Sequence, residues 1–209
     1  MTILALDTSS RRRALVLLAD PDGTVRAARP LTGRDLDREL PPALAALLAI
    51  ANPGAVACVM GPGSYTGLRV GIATALGLAH ARDLPLHGIP ALDVVARAAR
   101  ADTAGTRDIE AVAEAGRGAL YVARYRRDGT VLTLLDPPRR VESGGWQPHD
   151  GAEPVSIDSI LGTHDGSARA AEALAQAAVE AATAPPLPRS GLEPVYLHGS
   201  VSTSPGPRV

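Results

Sequence analysis

The sequence predicts an α/β protein of two related lobes with mixed sheets, and three observations carry that expectation. Three short apolar runs separated by turns open the chain of 209 residues. Strand-like and helix-like stretches then alternate as far as Arg100. After a small, polar stretch from Ala101 to Arg107 the strand pattern begins again. The expected division is a first lobe over residues 1–103 and a second over 104–199. The tail, 200–209, holds Ser, Pro and Gly with nothing to bury, and disorder is expected there.

Thr2 to Thr8 reads as a buried strand, because Ile3, Leu4, Ala5 and Leu6 are continuously apolar. Ala14 to Ala19 is the second strand. Asp20-Pro21-Asp22-Gly23 turns the chain into a third, Thr24 to Arg29. Leu36 to Ala51 has helical periodicity, with Leu36, Leu40, Leu44, Leu47, Leu48 and Ala51 on one stripe. Pro41 and Pro42 place the regular helix start near Leu40, since proline is tolerated only in the first turn. Ala55 to Met60 is a buried strand and Gly67 to Ala81 a second helix. Leu86 to Ile89 is a short strand, and Pro90, as first helical residue, opens a third helix to about Arg100. In the second lobe, strands are expected at Ile109–Ala115, Leu120–Arg126, Val131–Leu135 and Val155–Asp158. Glu114 to Arg117 is a polar turn at a strand end. Asp165 should cap a helix over Gly166–Ala182, and Val195-Tyr196-Leu197 is a last apolar segment.

Gly61-Pro62-Gly63-Ser64-Tyr65-Thr66-Gly67 links a strand to a helix. Glycines around a proline make a tight turn, and Ser64 or Thr66 can cap the helix. A strand, a Gly-rich turn and a helix start can also form an anion site, because unpaired N–H groups and the helix dipole converge there. Both readings of Gly61, Gly63, Ser64, Thr66 and Gly67 stand on spacing alone. Asp7-Thr8-Ser9 ends the first strand; its carboxylate could hold Mg²⁺ or orient a phosphate, or simply start an Asx turn. The following helix has two rows of small residues, Gly67-Gly71-Ala75-Ala79 and Ala73-Gly77-Ala81, and one large row, Leu68-Ile72-Leu76. Interior glycines cost roughly 1 kcal/mol each relative to alanine. A closely approaching backbone, from the first helix or from another subunit, should offset that. Spare apolar surface on both helices suggests a subunit interface. Its candidate residues are Leu44, Leu47, Ile50, Leu68, Arg69, Gly71, Ile72, Ala75, Leu76 and Ala79. Arginine at Ala75 or Ile50 should then weaken association.

Composition removes some chemistry. The formal net charge is −1, so no bulk attraction to nucleic acid is visible. All basic residues besides histidine are arginine, which excludes a Schiff-base or Walker lysine. The five histidines show no ligand spacing, so no metal site is expected. Arg11-Arg12-Arg13 beside Asp7 reads as a solvated turn, or as a contact to phosphate or RNA. The lone Cys58 reads as a buried, inert thiol. No signal peptide or membrane span is apparent, and a cytoplasmic protein is expected.

Ile3-Leu4-Ala5-Leu6-Asp7-Thr8-Ser9 and Gly61-Pro62-Gly63-Ser64-Tyr65-Thr66-Gly67-Leu68-Arg69-Val70-Gly71 resemble the TsaB family of bacterial tRNA threonylcarbamoyladenosine biosynthesis proteins. Gly116-Arg117-Gly118-Ala119-Leu120-Tyr121-Val122 is similar to the family's second-lobe hairpin, and Pro194-Val195-Tyr196-Leu197 to its C-terminal motif. The sequence departs from the family pattern at Glu114, Ala119 and His198, and at the helix start Gly33-Arg34-Asp35-Leu36. The resemblance implies a two-lobe actin/Hsp70/sugar-kinase-like fold with ribonuclease H-like lobes. It implies a non-catalytic subunit that needs no cofactor and pairs through first-lobe helices with a TsaD-type catalytic subunit, which carries an H-x-x-x-H metal motif. A TsaE-type ATPase joins that assembly, tRNA is met indirectly, and the chain alone forms homodimers. The reaction served places threonylcarbamoyl on adenosine in the anticodon loop of tRNAs reading codons that begin with A. The rival reading is a free-standing ATP-dependent enzyme of the same fold, using Asp7 and the Gly61–Gly67 loop. A peptidase finds no nucleophile–base pair or ligand set in the sequence.

Overall fold

A computed structural model describes residues 1–10, 14–99, 105–188, 190 and 193–197. The run Arg11–Arg13, the stretch 100–104, His198 and the tail lie outside the described residues. The first sheet has strand order β3-β2-β1-β4-β5. Its strands are β1 (Ile3–Asp7), β2 (Ala14–Ala19), β3 (Val25–Leu31), β4 (Ala55–Gly61) and β5 (Leu86–Pro90). β1, β2 and β3 pair antiparallel, while β4 runs parallel to β1, and β5 parallel to β4. β1, β2 and β4 are buried on both faces, which is why they read as unbroken apolar runs. Ile3, Ala5, Leu15, Leu17, Ala57 and Val59 face one apolar cluster, and Leu4, Leu6, Val16, Leu18, Val56 and Cys58 the other. The period-2 alternation of strand side chains sorts them.

Two helices cover the second of these faces, α1 (Leu36–Leu48) and α2 (Tyr65–Ala81). α1 begins a turn earlier than expected and holds Pro41 and Pro42 inside it. The extra turn buries Leu36 and lets Arg38 N and Glu39 N donate to Asp35 O, at 3.0 and 2.9 Å. The Glu39 carboxylate reaches back to accept from Thr32 N and its hydroxyl. Both prolines sit on the exposed side of α1, above exposed Asp37 and Arg38, so the carbonyls they leave unpaired can be hydrated.

The other face carries α3 (Ala91–Arg97) and α5 (Gly166–Ala181), which share one cluster with the second sheet. Pro90 is the N-cap of α3 rather than its first helical residue, with extended ψ of 132°, and the helix stops at Arg97. The second sheet has order β8-β7-β6-β9. It comprises β6 (Thr106–Gly116), β7 (Ala119–Asp128), β8 (Val131–Glu142) and β9 (Glu153–Ser156), the last parallel to β6. The Glu114–Arg117 turn is a hairpin corner between β6 and β7, with positive φ at Gly116, Arg117 and Gly118. β8 runs past Pro137 and Pro138, which a sequence reading takes for its end. It is an edge strand, and the two prolines fall at a register shift opposite Ala123, where the ladder is already broken.

β9 ends earlier than expected because Ser156 starts α4 (Ile157–Leu161). Ser156 Oγ accepts from Ser159 N at 3.0 Å, and Ser159 Oγ accepts from Ser156 N at 3.1 Å, a reciprocal cap. Asp165 stands at the N-cap of α5 but makes no side-chain cap bond. Its carboxylate instead accepts from Thr163 Oγ1 at 2.9 Å and pairs with Arg169.

Cys58 lies under α2, 1% exposed, and burial pushes its thiol up to about 12. Iodoacetamide should therefore leave the native protein unmodified at pH 8 and label it fully once denatured. Mass spectrometry reads both states, and rapid native labelling would contradict the burial. No helix among the described residues is long and apolar enough to cross a membrane.

Candidate functional site

The parallel pairing of β1 with β4, with Leu6 opposite Cys58, brings both strand exits to the same end of the sheet. Asp7-Thr8-Ser9 therefore meets Gly61–Gly67. Asp7 is 2% exposed, and its Oδ1 accepts from Ser9 N at 2.9 Å and from Ser9 Oγ at 2.6 Å. That is the Asx turn. Ser64 is the N-cap of α2, accepting from Gly67 N at 3.3 Å, while Thr66 is exposed. Ser64 N donates to Ser9 O at 2.7 Å, and Thr8 Oγ1 donates to Gly67 O at 2.8 Å.

The glycines are required where the two exits touch. A methyl at Gly63 would stand 2.4 Å from Ser9 O, at Gly67 2.1 Å from Thr8 O, and at Gly71 2.0 Å from Thr8 Oγ1. The close neighbour of the small-residue row is thus the Thr8-Ser9 turn, neither the first helix nor another subunit. Gly77 differs: nothing lies within 4 Å of where its methyl would be. Of the candidate anion loop, Asp7, Thr8, Ser9, Gly61, Gly63, Ser64 and Gly67 are brought together. Thr8 and Ser9 fill the space against the glycines that a phosphate would need, so the turn as it stands does not fit a nucleotide phosphate. Among the described residues no group of three or more His, Cys, Asp or Glu is placed to hold a metal.

The candidate interface residues divide. Leu44, Leu47, Leu68, Gly71, Ile72, Ala75 and Ala79 are buried in the chain's own core, because α1 and α2 lie flat on one sheet face. They are corrected from contact residues to core residues. Ala75 is 0% exposed, so arginine there would test folding rather than association. Ile50, 49% exposed, and Arg69 face solvent, and Leu76 is half-buried. The outer line of α2 is Arg69, Ala73, Gly77 and His80, at helical spacing.

One cluster was not anticipated. Val195 N donates to Met60 O at 2.7 Å, which lays the C-terminal segment beside the turn. Tyr196 stacks on Tyr65 with centroids 5.2 Å apart, and Arg69 lies 4.0 Å over the Tyr65 ring. Arg69 Nε also donates to Tyr196 Oη at 3.2 Å, which raises the guanidinium pKa. The apolar segment Val195–Leu197 was the only sequence signal for it.

Two mixed sheets with helices between and outside them define an actin/Hsp70/sugar-kinase type of α/β protein. The solved structure of YeaZ from Pseudomonas aeruginosa superposes with a TM-score of 0.74 at 23% identity, covering 94% of this chain and 99% of that one. Residues 31–147 match the family described as TsaD, tRNA N6-adenosine threonylcarbamoyltransferase, and the chain belongs to that family. It is similar to the tRNA threonylcarbamoyladenosine biosynthesis protein TsaB of Escherichia coli, 35% identical over 133 residues, 61% of this chain and 56% of that protein. TsaB of Bacillus subtilis is 29% identical over 150 residues, 70% of this chain and 64% of that protein. An uncharacterized Mycobacterium leprae protein, ML0378, is 40% identical over 115 residues, 52% of this chain and 30% of its own length. The match thus spans under two thirds of each of these three relatives.

Proposed function

We propose that this chain is a non-catalytic assembly subunit in the formation of threonylcarbamoyladenosine in tRNA. In this reading it pairs with a TsaD-type catalytic chain through the outer side of α1 and α2, and a TsaE-type ATPase joins the assembly. Alone it forms a homodimer on the same surface. It works in the cytoplasm and meets tRNA only through the complex. Residues 1–103 and 104–199 act as its two lobes. The observation that carries the reading is the turn at Gly61–Gly67. Its cap bond is internal, and Gly63 and Gly67 are covered by Ser9 and Thr8 of the same chain. The same packing leaves the line Arg69-Ala73-Gly77-His80 exposed. The names of the Escherichia coli and Bacillus subtilis relatives supply the pathway.

Ile50→Arg tests the surface. Ile50 is half-exposed just beyond the end of α1, so the variant should fold, and it should bind the TsaD-type protein of the same cell at least about ten-fold more weakly. Unchanged pull-down and gel filtration would reject the surface. Calorimetry with Mg-ATP on the isolated chain addresses the rival enzyme: micromolar binding with turnover would replace the assembly reading.

A further inference from the structure

Eight described arginines pair with a carboxylate, Arg26, Arg97, Arg107, Arg124, Arg126, Arg139, Arg140 and Arg169. Arg69 is held in another way. Its guanidinium lies over Tyr65, and its Nε donates to Tyr196 Oη. The two rings stack on each other, 27° from parallel. No carboxylate among the described residues pairs with it, and the first turn of α2 has no acidic side chain. An exposed arginine usually samples many rotamers, and ordering it costs entropy. Here the chain brings Tyr196 from 127 positions away to order one. The bond to Tyr196 uses Nε, so the two Nη groups beside Tyr65 make up the fork that grips a carboxylate end-on.

We infer that Arg69, fixed by Tyr65 and Tyr196, is a preformed receptor for an acidic side chain of the protein that docks on α2. The inference rests on the proposed reading that the outer side of α1 and α2 meets a partner protein, and it specifies that partner's chemistry. Arg69 heads the exposed line that continues through Ala73, Gly77 and His80, so a protein lying along that line meets it at one end. Tyrosine and arginine are the side chains in which interface energy concentrates, and an arginine ordered in advance loses less freedom on binding. Arg69→Ala removes the fork. Arg69→Glu sets a carboxylate against a carboxylate. Tyr196→Phe keeps the ring and frees the guanidinium.

The test is the Kd for the TsaD-type protein of the same cell, measured by interferometry at 50 and 300 mM salt with Ile50→Arg alongside. All three positions are at least partly exposed, and melting curves should confirm folded variants. Arg69→Ala should weaken binding about 10–100-fold, and Arg69→Glu at least about ten-fold more, with that gap shrinking at high salt. Tyr196→Phe should fall between parent and Arg69→Ala. If Arg69→Glu binds like Arg69→Ala while Ile50→Arg binds weakly, the docking surface stands and the acidic contact is wrong. If Ile50→Arg and both Arg69 variants bind like the parent, the docking surface itself is wrong.

Discussion

Gly67→Ala is expected to lower the melting temperature sharply, and Gly77→Ala, ten residues further along the same helix, to raise it. Intrinsic helix propensity favours alanine at both positions by roughly 1 kcal/mol. The surroundings decide the sign. At Gly67 the new methyl would lie 2.1 Å from the Thr8 carbonyl oxygen and 3.3 Å from its carbon. That oxygen is backbone, so no rotamer change relieves the clash, and Thr8 is itself pinned by the bond from its Oγ1 to Gly67 O. Either α2 lifts off β1 or the Asp7–Ser9 turn deforms. Overpacking of this kind costs about 3 kcal/mol or more after the propensity gain, which lowers the midpoint by on the order of 6–12 °C in a chain of this size. At Gly77 the methyl enters open space, and a rise of about 2–4 °C is expected. Thermal unfolding of the two variants beside the parent decides. Equal shifts of the same sign would mean that the Thr8 turn does not press on α2.

The same contact shows what could be read in the sequence and what could not. Element order was legible because two periods alternate along the chain, and because strands buried on both faces leave long apolar runs such as Ile3–Leu6 and Ala55–Val59. The turn at Gly61–Gly67 was legible from its glycines and proline. The group that fills it was not. Thr8 is a small polar residue 59 positions from Gly67, and only the register of β1 beside β4 sets one above the other. The helix stripes had a similar ambiguity. A row such as Leu68-Ile72 must be covered, yet the pattern does not say whether sheet or partner covers it; here the sheet does. Tyr196 on Arg69 is a third case, since nothing local to either residue points to the other. The departures in the second lobe have a related cause. Pro137 reads as a strand end only if the strand is internal, and whether a strand lies at an edge belongs to topology rather than to its own residues.

Arg127→Met is expected to be the most damaging change in the second lobe, and the argument again runs between distant elements. Arg127 on β7 is 7% exposed. Its Nη1 donates to Ala99 O at 2.9 Å, and its Nη2 donates to Ala96 O at 3.1 Å and Arg97 O at 2.8 Å. These carbonyls belong to the end of α3, where a helix leaves acceptors unpaired and its dipole is negative. Arg169 from α5 donates to Ala98 O beside them. Two residues earlier on β7, Tyr125 donates its hydroxyl to Asp93 in the first turn of α3, at 2.6 Å. One strand therefore fastens both ends of a seven-residue helix between the sheets. Burial lowers the Arg127 pKa, and Arg107, Arg97 and Arg169 nearby lower it further, so the charge is tolerated because the carbonyls take it up. Methionine matches the stem but removes all three bonds, leaving Ala96 O with the bond from Ala99 N at 3.3 Å. The expected loss is about 3–5 kcal/mol, a fall in melting temperature on the order of 10 °C. Lysine should recover only part of it, since an ammonium cannot fork to three carbonyls. Arg126→Met, one residue away, removes an exposed pair with Asp108 and should shift the midpoint little. Equal melting of the Arg126 and Arg127 variants would show that this clamp does not hold α3 in place.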